Sequence, residues 1–247
     1  MIIYHQANPV TSKQELASLP ALPPVQATDR LLVIVPHPDD ETLGAAGLLV
    51  LAHNSGAQAR VVVVTDANKH GRGQRRRAES RQALALLQGS EADIQFWGYP
   101  EGALHNDQSL RAAVARLLAE YRPTIAVTTV PADLHRDHRA LGLAVTETAA
   151  ATHYAGRLYG FLVHYRRYPL PRRYSPASPL LLPRRLEHRA RWYRLMLSPQ
   201  TESLKFRAVS QYRTQLSMRN PILRELLYGL VRPNELYCDL TAGGAPS

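Results

Sequence analysis

Cysteine is nearly missing from this chain of 247 residues: Cys238 is the only one. No intrachain disulfide is possible, so disulfide-stapled scaffolds are excluded, and a lone thiol fits a reducing compartment. Acidic residues are scarce over a long stretch, where Asp is missing altogether. Between Arg157 and Arg232 there are sixteen Lys and Arg against three Glu and no Asp, a local net of +13 within an overall +10, which leaves the rest of the chain at −3. A basic C-terminal third suggests an anionic partner: a phosphate-rich glycolipid, a membrane surface, a sugar nucleotide or a nucleic acid. No apolar run approaches the roughly 18–20 residues that cross a bilayer. The opening residues Met1-Ile2-Ile3-Tyr4-His5-Gln6 have neither the basic nor the apolar segment of a secretory signal. The expected location is the cytoplasm, with peripheral contact at the inner face of the membrane. No internal repeat is present. At 45% hydrophobic and 20% charged, the chain has the composition of a folded domain with a proper core.

What is there is concentrated chemistry. Pro36-His37-Pro38-Asp39-Asp40-Glu41 follows the apolar run Leu31-Leu32-Val33-Ile34-Val35. One imidazole and three carboxylates thus meet in a turn at the end of a buried strand. Such a turn buries three carboxylates only if a cation or a donor network compensates them, and a divalent metal does so best. His37 and Asp40 would be ligands, with Asp39 left to handle a proton. Two ligands make a weak site. A third is offered by Asp133-Leu134-His135-Arg136-Asp137-His138, which follows a second strand signal, residues 124–130. His138 completes a two-His, one-carboxylate set of the open, catalytic kind. His135 is placed to donate or accept a proton, and Asp137 to orient a neighbouring imidazole.

The ordered pair PHPDDE and HxDH, each after a strand, resembles the PIG-L (LmbE-like) family of metal-dependent N-acetylglucosamine de-N-acetylases, from about Leu31 to the Tyr212 region. The resemblance implies that His37, Asp40 and His138 hold the metal, that Asp39 is the general base toward water, and that His135 is the general acid or oxyanion stabiliser. Zinc is the ion it implies, while a His/His/Asp set also accepts Fe(II), Co(II) or Mn(II). Arg76 and Glu79 are similar to the family's R-x-x-E. Tyr99-Pro100-Glu101-Gly102 is similar to its YPDG turn. Lys205-Phe206-Arg207-Ala208 and Tyr212-Arg213-Thr214-Gln215 are similar to a late K-x-x-A and Y-x-[ST]-Q stretch. Some members carry Tyr two residues before the HxDH histidine; here that position is Asp133.

Several residues have two readings. Glu41 hydrogen-bonds behind the ligands or caps the next helix. Asp137 orients an imidazole or caps a helix. Arg76, inside Arg75-Arg76-Arg77, contacts substrate or belongs to a solvated face. Glu101 accepts a sugar hydroxyl or merely turns the chain. Asp133 touches substrate or ends its strand. Asp66 approaches the site or caps. Lys205 is a surface charge or a phosphate contact. His164 has no paired ligand spacing and reads as an ordinary polar or core residue. Tyr and Arg interleave at Tyr165-Arg166-Arg167-Tyr168, as in nucleic-acid binders, but in a proline-rich loop without a nucleic-acid fold motif; an anionic lipid or glycan is favoured over nucleic acid.

From Leu31 strands and helices alternate, which argues an α/β, Rossmann-like, mostly parallel sheet flanked by helices, with a basic C-terminal elaboration. The expected organisation is an irregular extension over 1–29, a catalytic core over 30–165, and a basic loop with C-terminal helices over 166–247 packing on that core as one domain. Helices are expected over 42–53, 74–88, 109–121, 139–150, 203–216 and 222–230. Strands are expected over 31–36, 61–64, 94–97, 124–130, 157–165 and 235–240, with a loop over 166–185. The expected activity is hydrolytic removal of an acetyl group from a 2-acetamido sugar on a glycan or glycolipid, its substrate phosphorylated or lipid-linked. The rivals are a metal-dependent amidase of a non-sugar substrate and a non-catalytic scaffold that binds anionic surfaces. Oligomeric state is not readable.

Overall fold

A computed structural model describes residues 10–68, 71–89, 92–217 and 221–241; the remainder, including residues 1–9 of the expected extension, lies outside the described residues. Seven strands form one sheet in the order β3-β2-β1-β4-β5-β7-β6. They are β1 (Arg30–Val35), β2 (Gln58–Thr65), β3 (Asp93–Tyr99), β4 (Ile125–Thr129), β5 (Arg157–Phe161), β6 (Trp192–Met196) and β7 (Asn234–Asp239). The first five pair in parallel, and β7 runs antiparallel between β5 and β6. Parallel strands are covered on both faces, so they read as continuous apolar runs: Leu31 to Val35 and Val61 to Val64 are all essentially buried.

The helices α1 (Lys13–Ser18), α2 (Asp40–Ser55), α3 (Gly73–Gln88), α4 (Gln108–Tyr121), α5 (Arg136–Ala151), α6 (Arg184–Glu187), α7 (Pro199–Val209), α8 (Arg213–Leu216) and α9 (Pro221–Gly229) complete the fold. One layer is α2 with α3 and α7; α4 packs on α5. Twelve of the sixteen residues of α2 are buried, because it lies between the sheet and α7 rather than at the surface. Gly44 permits its close approach to the sheet: a Cβ there would stand 2.0 Å from the Phe161 ring.

The alternating core matches the sequence reading; the C-terminal third differs in detail. Trp192–Met196 is a strand that periodicity did not reveal, because its neighbour in the sheet, β7, is about forty residues further on. The single helix expected over 203–216 is two. Ser198 caps α7 from an earlier start, its hydroxyl accepting from the Thr201 N–H at 3.1 Å. The chain then turns at Ser210–Tyr212 so that the Tyr212 hydroxyl donates to Glu41 at 2.7 Å. Helix α8 follows, its Thr214 held by Glu79, which accepts from the Thr214 N–H at 3.0 Å and its hydroxyl at 2.5 Å. No helix among the described residues is long and apolar enough to cross a membrane.

Lys205 is neither a surface charge nor a phosphate contact. It is fully buried, and its ammonium donates to Glu235 at 2.7 Å and to the Leu43 carbonyl at 2.8 Å. Glu235 also accepts from the Gly47 N–H at 3.0 Å and the Tyr237 hydroxyl at 2.6 Å. One ion pair thus ties α7, α2 and β7 together. Lys205→Met strands the Glu235 charge and should lower unfolding stability by about 3–5 kcal/mol. Adding Glu235→Gln removes the orphaned charge and should restore part of it. Chemical denaturation of the two variants measures both effects.

Candidate active site

Ligands of open α/β sheets bind beyond the carboxyl ends of strands, where the strand order switches direction. Here β1 and β4 are that adjacent pair, and each is followed by one of the two motifs. The turn after β1 leaves Asp39 at φ 126°, ψ −33°, a positive-φ conformation that costs a non-glycine residue about 1–3 kcal/mol. It is over-determined from below: Glu41 accepts from the Asp39 N–H at 3.0 Å and from the Ser80 and Tyr212 hydroxyls. Glu41 is wholly buried, so it holds the turn and does not reach the cavity. Asp39 stands at the N-cap of α2, yet its side chain makes no capping bond. Its carboxylate faces the Arg76 guanidinium at 3.5 Å instead.

After β4, Thr129 donates to the His138 carbonyl at 2.8 Å, and His135 caps α5, its Nδ1 accepting from the Asp137 N–H at 3.3 Å. That bond fixes the tautomer: Nε2 of His135 carries the hydrogen. Asp137 does not cap. Its carboxylate meets His37 Nε2 at 2.9 Å and accepts from the Gly102 N–H at 2.7 Å and the Leu104 N–H at 3.1 Å.

Five side chains then form one alternating row: Asp137, His37, Asp40, His138 and Asp133. Successive contacts are 2.9, 3.3, 3.2 and 3.3 Å, and all five residues are buried. Each imidazole uses one nitrogen toward a rear carboxylate. His37 Nε2 pairs with Asp137 and His138 Nδ1 with Asp133, which leaves His37 Nδ1 and His138 Nε2 facing Asp40 Oδ2. These three atoms lie 3.2–3.3 Å from one another. A tetrahedral ion with bonds of about 2.0–2.1 Å needs ligand atoms roughly 3.3–3.4 Å apart. With the rear nitrogens turned toward Asp137 and Asp133, His37 Nδ1, Asp40 Oδ2 and His138 Nε2 converge on one point. The row holds three carboxylates against two imidazoles, so a dication fits its charge as well as its spacing. The rear carboxylates set ring orientation and tautomer, as supports of metal-bound histidines do.

Asp133 was a candidate for substrate contact. It is fully buried and accepts from the N–H groups of His135, Val163 and His164 at 2.9, 3.0 and 2.9 Å. Its oxygens are occupied behind His138, and it does not line the cavity. Arg76 is no part of a solvated face: Arg75 is exposed, but Arg76 turns inward, donating to Glu101 at 2.9 Å and to the Pro38 carbonyl at 3.2 Å. Asp66 supports this arrangement by accepting from the Glu101 N–H at 3.1 Å.

A cavity of about 160 Å³ opens over the row. Asp39, Arg76, Glu101, His135 and Gln215 give it a polar wall; Leu43, Val163, Leu226 and Leu227 give it an apolar one. His164 also lines it, with its ring 4.8 Å from His138 and 5.3 Å from His135. Spacing gave no sign of His164, because it follows β5 rather than either motif. Its one sequence signal is its place just beyond the carboxyl end of a strand next to β4.

Burial separates the two adjacent carboxylates. It pushes Asp39 up to about 8, with Arg76 pulling against it and Asp40 adding to it. Burial also pushes Asp40 upward, but the charges and hydrogen bonds of His138 and His37 outweigh it and hold Asp40 well below its ordinary value. Neighbouring carboxyls driven apart in this way divide into a proton carrier and a permanent anion. Burial, with the charges of His138 and His37, lowers His135 to about 4, so that ring is a neutral donor.

Residues 32–149 match the family model described as PIG-L: GlcNAc-PI de-N-acetylase. A curated relative, the probable N-acetyl-alpha-D-glucosaminyl L-malate deacetylase 2 of Bacillus subtilis, is 29% identical over 131 residues, which is 47% of this chain and 59% of that relative's length. The N,N'-diacetylchitobiose deacetylase of Pyrococcus horikoshii superposes with a TM-score of 0.60 at 21% identity, covering 85% of this chain and 82% of that one. A pseudoaglycone deacetylase of an antimicrobial reagent superposes with a TM-score of 0.63 at 24% identity, covering 85% and 96%. The two structural likenesses establish a shared fold. The matched segment contains both motifs, from His37 to His138, and the whole alternating row. Residues 32–149 of this chain are a PIG-L family domain.

Proposed function

We propose that the protein is a metal-dependent hydrolase that removes the acetyl group from a 2-acetamido sugar of the N-acetylglucosamine type, giving acetate and a free amine. The observation that carries this reading is the convergence of His37 Nδ1, Asp40 Oδ2 and His138 Nε2 at 3.2–3.3 Å beside the uncapped carboxylate of Asp39. The family match and the deacetylase names of the relatives support it. Zinc is the ion we assign to these ligands, and Fe(II), Co(II) and Mn(II) suit the same donors. An ion held there supplies Lewis acidity toward the amide carbonyl and acidity to water.

The chain's own groups do the rest. Asp39 takes a proton as water oxygen bonds to the carbonyl carbon and the carbonyl π pair moves onto its oxygen. His135 donates from Nε2 to that oxygen. The C–N bond then breaks, its electron pair leaves on nitrogen, and the proton held by Asp39 passes to the amine. Arg76 holds Asp39 and Glu101 in place, and Glu101 accepts a hydroxyl of the sugar ring.

A cavity of about 160 Å³ is below the roughly 300–1,000 Å³ of pockets that enclose a whole drug-sized ligand. It suits the acetamido end of one sugar, with the remainder outside. The outside is basic. Arg166, Arg167, Arg172 and Arg173 are exposed on the loop after His164, and that loop packs on Gly229 of α9, the helix that supplies Leu226 and Leu227 to the cavity. We therefore assign an anionic aglycone or a phosphorylated, lipid-linked glycan to the substrate. We place the enzyme in the cytoplasm, with peripheral contact to anionic membrane through the same arginines.

Acetate release from free, nucleotide-linked, malate-linked and lipid-linked N-acetylglucosamine, with and without chelator, tests the reading. Chelator-sensitive release that zinc restores is expected, with anionic conjugates turned over faster than the free sugar. Bound metal with no release from any sugar would move the assignment to a non-sugar amide; no metal and no release would leave the scaffold reading. Asp39→Asn should keep the metal and lose at least about 100-fold in kcat, the scale of lost general-base catalysis. Near-normal turnover in that variant would remove Asp39 as the base.

A further inference from the structure

We propose that His164 is a catalytic residue, the second donor to the oxygen of the scissile amide, acting beside His135; this rests on the amide-hydrolase reading above. Three observations place it there. First, its backbone is fastened to the second motif. Asp133 accepts from the Val163 and His164 N–H groups at 3.0 and 2.9 Å, and the Leu134 N–H donates to the His164 carbonyl at 2.9 Å. The same carboxylate supports His138 at 3.3 Å, so one group fixes both a metal ligand and His164.

Second, the ring is beside the three atoms assigned to the ion above, and Asp40, His138 and His164 together form another group that could hold an ion, so bound zinc is measured alongside kcat. Its nitrogen lies within 4.8 Å of ligand atoms of Asp40 and His138, but it makes no ion pair or hydrogen bond with either among the described residues. The ligand atoms themselves are 3.2–3.3 Å apart. A ring beside those three atoms is within reach of an atom bound at their centre.

Third, the ring stands on the cavity wall next to His135, 5.3 Å between centroids and 36° between planes. No described residue hydrogen-bonds its side chain. The side chain is partly buried, and an imidazole left open on a cavity wall has a donor to offer a ligand. His135 already presents an N–H from Nε2, so the two rings make a pair of preplaced donors. When water oxygen bonds to the carbonyl carbon and the π pair moves onto oxygen, the His164 N–H donates to that oxygen and stays bonded to its own nitrogen. Such donors act most where charge develops.

The test compares the wild type with His164→Ala and His164→Gln. The readouts are kcat and KM for acetate release from the fastest N-acetylglucosamine conjugate, bound zinc per chain, and Kd for two probes. One probe is an N-acetylglucosamine analogue with a methylphosphonamide in place of the acetamide, a tetrahedral mimic. The other is glucosamine, the free-amine product.

His164→Ala should lose roughly 100-fold in kcat, as for one oxyanion donor, with KM and zinc content little changed. Its affinity for the phosphonamide should fall by a similar factor while glucosamine binding holds, because the lost contact belongs to the transition state. His164→Gln, which keeps an N–H donor, should regain a large part of both. Unchanged kcat in His164→Ala would overturn the proposal. So would a loss that tracks lost zinc, or equal weakening of both probes. A zinc-loaded wild type that neither releases acetate nor binds the phosphonamide would overturn the hydrolase reading itself, and this assignment with it.

Discussion

Negative charge withdrawn from water is the constraint on which the rest of the structure depends. Asp40, Asp133 and Asp137 are almost completely buried, and an uncompensated buried carboxylate costs several kcal/mol. The fold meets that cost in layers. The two imidazoles divide the row into alternating signs, backbone N–H groups from three loops converge on the rear carboxylates, and Arg76 stands over Asp39. The compensation is incomplete, because three carboxylates stand against two imidazoles in the row. Sites of catalysis are where such local conflict is kept, and the surrounding structure makes it tolerable.

The region after residue 165 belongs to that surrounding structure as much as to any partner surface. Tyr212 reaches Glu41 beneath the first motif, Thr214 holds Glu79 one turn from Arg76, and the Lys205–Glu235 pair anchors α2. The late sequence marks therefore have a physical explanation. They brace the motif turn from behind, and only Gln215 of that stretch reaches the cavity. The exposed arginines are a separate population, four of which, Arg166, Arg167, Arg172 and Arg173, stand on the loop between His164 and Tyr174.

Much of this was legible in the sequence. Apolar runs gave the parallel strands, and the ends of β1 and β4 located the site, because strand periodicity and buried polar clusters are local properties. The proposed ligand positions were read from residue type and spacing. What was not legible depended on contacts between distant segments. Asp133 looked open to substrate until β5 and its following turn wrapped its oxygens. Lys205 read as a surface charge or a phosphate contact because Glu235 lies thirty residues away. Among three adjacent arginines, only packing against Pro38 and Glu101 selects Arg76. His164 has no neighbour in sequence that marks it.

The strand β7 pairs with β5, although some seventy residues separate them. Contacts so distant in sequence close slowly and late. During synthesis the chain emerges from its N-terminus, so every ligand of the proposed ion, ending with His138, leaves the ribosome well before the segments that wall the cavity. A nascent chain thus passes through a stage in which the ion-binding atoms exist without Val163, His164, Gln215 or Leu227 above them. The cavity is therefore completed by segments that follow the motifs in the chain, and its closure is set by long-range pairing rather than by the motifs themselves.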